Sequence, residues 1–131
     1  MKYFTIPELT SSATAKRLRL DNTPPREARE NLEALVAHVL DPLREAWGGP
    51  IHVTSGYRSA DVNKAVGGVA GSQHCLGQAA DLTTGSAPDN RRLFRLVTEL
   101  GLPFDQLIDE HHYAWVHVSY SARHRRQVLH L

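Results

Sequence analysis

The sequence predicts one α+β domain, a small, mostly antiparallel sheet packed with helices. Three observations predict it. Apolar residues recur at helical spacing in two segments, 32–47 and 93–100. Short alternating or apolar stretches stand at 51–55, 79–83, 104–110 and 113–120. Their order is helix, strand, long loop, strand, helix, hairpin.

Taken in order, residues 1–22 form a short preamble with one small helix, which Ser12 caps over Ala13 to Leu20. Asn22-Thr23-Pro24-Pro25 opens a long helix, with Thr23 as N-cap and Pro24 in the first turn. Leu32, Leu35, Val36, Val39, Leu40, Leu43 and Trp47 give it one buried face. Pro42 lies inside that pattern; it removes a backbone donor and crowds the preceding turn, so a kink is expected near His38. Gly48-Gly49-Pro50 ends the helix. Ile51–Ser55 reads as a strand, and residues 56–78 as a long functional loop with a helical turn at Ala60–Ala65. Ala79–Thr83 is a second strand, and Pro88 opens a helix that Gly101 stops. Phe104–Glu110 and Tyr113–Tyr120 form a hairpin turning at His111-His112. Residues 121–131, with Arg123-His124-Arg125-Arg126, read as a basic solvated tail; binding of an anionic polymer is the lesser reading.

The chain of 131 residues suits one core, so residues 1–131 are read as a single domain. An apolar fraction of 41% and a charged fraction of 22% are those of a folded protein rather than a disordered one. A net charge of +1 gives no general drive toward nucleic acid, and none is expected as a partner. One cysteine, Cys75, forms no internal disulfide. No segment approaches the roughly 20 apolar residues of a membrane span, and MKYFTIPELTSS lacks the apolar run of a signal peptide. Synthesis in the cytoplasm is expected, with a separate release step if the protein acts outside. A monomer is the default expectation.

The chemistry gathers in SGYRSADVNKAVGGVAGSQHCLGQAADL, residues 55–82, and in WVHVSY. In the second, Val116 and Val118 suit the core, which turns His117 toward a groove with Trp115 and Ser119. A satisfied structural histidine is the competing reading. Asp81 stands among small and apolar residues of a strand, where an unpaired carboxylate costs several kcal/mol or more. Ala79, on the same face, leaves room beside it. The loop can fold back to bring His74 to Asp81. Two imidazoles and one carboxylate make a three-ligand set that leaves a zinc ion one open position. The same residue types hold non-haem iron in oxygenases, a weaker alternative here. Cys75 is a poor candidate ligand because it adjoins His74. Arg58 follows the first strand and can offer a guanidinium fork to a carboxylate or oxyanion; a plain surface arginine is the alternative.

SGYRS, VN, VGG, SQHCLGQAAD, FDQLIDE and WVHVSY, in this order, resemble the zinc D-Ala-D-Ala carboxypeptidase and L-alanyl-D-glutamate endopeptidase family, which includes vancomycin-resistance dipeptidases and phage endolysins. The likeness runs from about residue 24 to 120, and FTIPELTSSATA resembles the start of prophage-encoded members. It implies a Hedgehog/DD-peptidase-like fold, a zinc cofactor held by His74, Asp81 and His117, and cleavage of peptidoglycan stem peptides. It implies that Arg58 polarises the scissile carbonyl or binds substrate, and that Ser72 helps hold it; Tyr57 and Trp115 are expected beside them. Such an enzyme would reach the wall by holin-type release. Many members carry the general base three residues before the last histidine, where this chain has Ala114. Glu110 is the expected substitute, because it shares a face with Gln106 and Ile108 in the hairpin; Asp109, His111 and His112 are the alternatives. Ala114 also leaves open a second function, a non-catalytic zinc module that binds cell-wall peptides or a protein partner.

Overall fold

A computed structural model describes residues 1–131. In chain order the elements are α1 (Ile6–Thr10), α2 (Ala13–Leu18), α3 (Arg26–Leu35), a π-helical turn (Val36–Leu40), α4 (Asp41–Trp47), β1 (His52–Ser55), α5 (Ala60–Ala65), a 3₁₀ turn (Gln73–Leu76), β2 (Ala79–Thr83), α6 (Ala87–Glu99), β3 (Gln106–Glu110), β4 (Trp115–Ser119) and β5 (Gln127–His130). The expected α+β class holds: the five strands run in the order β1-β2-β4-β3-β5. Every pairing is antiparallel except β3 with β5.

One face of the sheet supplies the core. Ala80 and Leu82 of β2, Leu107 of β3, and Val116 and Val118 of β4 join Leu32, Leu35, Val36, Val39, Leu40 and Leu43 of the long helix and Leu93, Phe94 and Val97 of α6 in one cluster. The alternation that buries these residues turns Asp81, Ile108, Glu110, Trp115 and His117 to the other face. There they line a groove together with the loop before β2.

Several boundaries differ from expectation for local reasons. The long helix starts at Arg26 with Pro25 as its N-cap, not at Thr23. Pro24 and Pro25 have no N–H, and a residue before proline avoids the helical region. The Thr23 N–H donates instead to the Asp21 carboxylate, closing a turn. α2 keeps its Ser12 cap but stops at Leu18, because Arg19 adopts φ 55°. The disturbance expected near His38 is the π turn: the Asp41 N–H reaches back to the Val36 carbonyl, the wider ring that accommodates Pro42. The preamble is part of the fold, since Phe4 and Leu9 belong to the core.

The largest correction concerns residues 121–131, expected to be a solvated tail. They turn back and add β5 to the sheet edge, with Leu107 opposite Val128 and Ile108 opposite Leu129. The latch is electrostatic. Arg125 Nε and Nη2 donate to the two carboxylate oxygens of fully buried Asp105, each at 2.9 Å. A sequence window shows a run of cations but not the buried acid waiting for them.

Candidate metal centre

His74, Asp81 and His117 come from three parts of the chain, and their donor atoms lie within 4.8 Å of one another. Strand pairing makes half of the contact. Asp81 of β2 sits directly opposite His117 of β4, and His117 Nδ1 is 3.0 Å from Asp81 Oδ1. The loop makes the other half: His74 Nε2 lies 3.4 Å from the same oxygen.

His74 is only 3% exposed and its ring is oriented from behind. Nδ1 donates to the Gly56 carbonyl at 2.7 Å. A carbonyl only accepts, so Nδ1 carries a proton and Nε2 is the ring nitrogen that faces Asp81. The turn that carries His74 is capped by Ser72, whose Oγ accepts from the His74 N–H at 3.2 Å. Gly56 in turn is pressed on α1: a Cβ there would come within 2.9 Å of the Leu9 carbonyl carbon and closer still to its oxygen. The Tyr57 N–H donates to that same Leu9 carbonyl at 2.8 Å.

Burial alone would push the Asp81 carboxyl up. Hydrogen bonds from His117 and His74 outweigh it and hold the group well below the usual carboxylate range. Asp81 is therefore a permanent anion facing two nitrogen donors in a nearly dry corner.

The other expected site residues divide. Arg58, Ser72, Glu110 and Trp115 line the groove with the three donors. Arg58 forms no ion pair, and its buried Nε has no partner. Its backbone N–H donates to the His74 carbonyl at 3.1 Å, which ties it to the centre. Trp115 Nε1 donates to Glu110 Oε2 at 2.8 Å, which leaves Oε1 free of the indole. Tyr57 is 6% exposed, belongs to the core and does not line this groove. Its place after β1 could not show which way the ring would turn. Asp109 lies beneath the sheet surface, where it accepts from His130 Nδ1 and the Tyr113 N–H. His111 lines the groove, its ring tilted at 45° against Trp115 with centroids 4.8 Å apart.

Supporting residues escaped the sequence reading. His111, His112 and Tyr113 have φ of 50°, 54° and 64°, a left-handed run without glycine, which costs on the order of 1–2 kcal/mol per residue. Asn90 on α6 holds it: Nδ2 donates to the Tyr113 carbonyl at 2.9 Å and the Ala114 carbonyl at 3.2 Å, while Oδ1 accepts from the Thr84 N–H at 2.7 Å. Glu110 and Trp115 flank this turn, so the turn sets their approach. Gln73, beside His74, donates through Nε2 to Asp105 at 2.9 Å. Neither Asn90 nor Asp105 carries a local sequence signal, because their partners are distant in the chain.

The chain belongs to the Peptidase M15 family, whose profile matches residues 2–119. A zinc D-Ala-D-Ala carboxypeptidase of Streptomyces albus G is 48% identical to it over 48 residues, 36% of this chain. The chain spans 19% of the length of that relative.

Proposed function

We propose that this chain is a zinc-dependent peptidase acting on the peptide stems of peptidoglycan. The observation that carries the reading is the convergence of His74, Asp81 and His117 in a groove open to solvent. The donor set suits zinc. Bonds of about 2.0–2.2 Å in a tetrahedron place neighbouring ligands roughly 3.3–3.6 Å apart. The separations of 3.0 and 3.4 Å about Asp81 are close to that without rearrangement. Three protein ligands leave one position for reactants. Membership of a peptidase family and the zinc carboxypeptidase relative support the same reading.

Zinc bound there would supply Lewis-acid activation of water and of the scissile carbonyl. The chain's own residues do the rest. Glu110 takes a proton from the attacking water and returns it to the leaving amine. Trp115 fixes one Glu110 oxygen and leaves the other for this transfer. Arg58 donates to the oxyanion that develops as the carbonyl becomes tetrahedral. Ser72 keeps the His74 turn in place and presents its edge to the bound peptide. No covalent intermediate forms, and Cys75, whose thiol is pushed up by burial, takes no part. Cleavage is carboxypeptidase-like or endolysin-like, with access to the wall by holin-type release.

The test is zymography on purified cell walls together with metal analysis. His74→Ala, Asp81→Ala and His117→Ala are expected to lose zinc and lysis together. Glu110→Gln should keep zinc and lose about 10²- to 10⁴-fold in turnover. Full lysis by zinc-free His74→Ala would overturn the assignment. Blank zymograms from zinc-loaded wild type that still binds walls would favour the non-catalytic module that Ala114 first suggested.

A further inference from the structure

The C-terminal segment brings two arginines, Arg123 and Arg125, to the wall of the groove that holds His74, Asp81, His117 and Glu110. It lies beyond residue 119, where the family match ends. The two arginines are not equivalent. Arg125 is committed to Asp105: Nε at 2.9 Å and the backbone N–H at 3.0 Å reach Oδ1, and Nη2 at 2.9 Å reaches Oδ2. Gln73 Nε2 takes a further place on Oδ2 at 2.9 Å. A carboxylate has about four acceptor sites, so Asp105 is already satisfied. Arg123 adds only one long contact, Nη2 to Oδ2 at 3.3 Å, and its side chain stays 59% exposed.

One buried carboxylate thus faces two guanidinium groups, and one positive charge is left over at the groove. No carboxylate that lines the groove pairs with it. Arg58 has no acidic partner there, and Asp81 is engaged by two imidazoles. Glu110 is the remaining acid on the wall, tied to Trp115. In this groove of about 730 Å³ the exposed Arg123 guanidinium, with one long contact, attracts a ligand group that carries negative charge. In a peptide the group that supplies it is a carboxylate, which pairs with a partly exposed guanidinium through its charge.

Resting on the peptidase reading above, we propose that Arg123 is a specificity-determining residue, binding a free carboxylate of the peptide substrate at the groove wall. Asp105 is its positioning residue: it holds the segment down through Arg125 and aims Arg123 without neutralising it. The carboxylate is either the peptide's C-terminal group or an acidic side chain, and two amidated peptides separate these sources.

The experiment measures binding by calorimetry to zinc-loaded protein in a Glu110→Gln background. The ligands are the stem pentapeptide L-Ala-γ-D-Glu-L-Lys-D-Ala-D-Ala, its C-terminal amide, and its analogue with glutamine in place of glutamate. Wild-type Arg123 is expected to favour the free acid over one of the two amides. Arg123→Gln should weaken the free acid by about three- to fivefold, the range of a partly exposed charge pair, and leave that amide unchanged. Arg123→Lys should keep most of the preference, and raising the salt from 0.05 to 0.5 M (both approximate) should shrink it. Equal effects of Arg123→Gln on acid and both amides, or none on any, would overturn the proposal, as would a loss in Arg123→Lys as complete as in Arg123→Gln. Turnover of the same peptides by protein with Glu110 intact is read separately. Its absence would defeat the peptidase reading while the binding preference still decides the role of Arg123.

Discussion

Gly56→Ala is the most informative single perturbation, because it adds one methyl group behind the metal centre without touching a donor. Gly56 has no Cβ where its backbone crosses α1. The added methyl would come within 2.9 Å of the Leu9 carbonyl carbon and 3.1 Å of Leu9 Cα, and closer to the oxygen. These are backbone atoms, so no side chain can rotate away. Overpacking of this kind costs about 1–3 kcal/mol. Pushing the loop after β1 away from α1 also strains the 2.8 Å bond from the Tyr57 N–H to the Leu9 carbonyl, which contributes about 0.5–1.5 kcal/mol. A loss near 3 kcal/mol would lower Tm by roughly 10–15 °C in a domain of this size. The same shift moves the carbonyl that orients His74, so zinc affinity should fall about 10- to 100-fold, as when the group behind a histidine ligand is removed. Thermal unfolding followed by circular dichroism reads the first effect, and competitive zinc titration reads the second. Gly71→Ala is the control. It has φ +78° and open space around it, so it should cost about 1–2 kcal/mol and leave zinc affinity alone. A Gly56→Ala protein that melts within 2 °C (an approximate error of such scans) of wild type and binds zinc normally would refute the claim that this contact seats the ligand.

Two further outcomes follow from the supporting residues. Asn90→Ala removes donors to the Tyr113 and Ala114 carbonyls and leaves the Thr84 N–H unpaired; urea unfolding should show a loss of about 2–4 kcal/mol, with turnover reduced because Glu110 and Trp115 flank the released turn. A change within about 0.5 kcal/mol, the range of ordinary surface substitutions, would count against that role. Asp105 governs the acid side of the stability profile. Its hydrogen bonds to Arg125 hold the carboxyl well below the usual range, against the opposing effect of burial. A carboxyl depressed in the folded state stabilises it above the unfolded value of about 3.9, and that contribution fades as pH falls toward the folded value. The Tm gap between wild type and Asp105→Asn should therefore be widest near neutral pH and close below about pH 4. A gap that stayed constant down to about pH 2 would show that Asp105 acts by shape alone.

Much of the fold could be read locally, where neighbours in the chain decide the outcome. Ala79–Thr83 alternates as a strand and is one, and the two valines of WVHVSY reach the core as expected. Ser12 and Gly48 bound their helices because capping depends on one residue's own side chain or backbone freedom. Pro42 announces the distortion at His38 because its missing N–H is a property of that residue alone. Where prolines stand in tandem, at Pro24-Pro25, the rules overlap, and the helix start moves to Arg26.

The donor residue types and their rough places are likewise properties of the sequence: a carboxylate among alanines, a histidine between valines, a histidine in a glycine-rich loop. Their meeting at one point is not. It takes the β2–β4 register to set Asp81 against His117, and the Gly56 carbonyl to turn His74 toward them. The same holds for the C-terminal segment, where four basic-looking residues gave no hint of a strand until Asp105 was buried beneath them. Local preferences act over a few residues and are written along the chain. A buried charge, a ring's orientation and a groove's wall depend on partners tens of residues away, and only the folded packing brings those partners within reach.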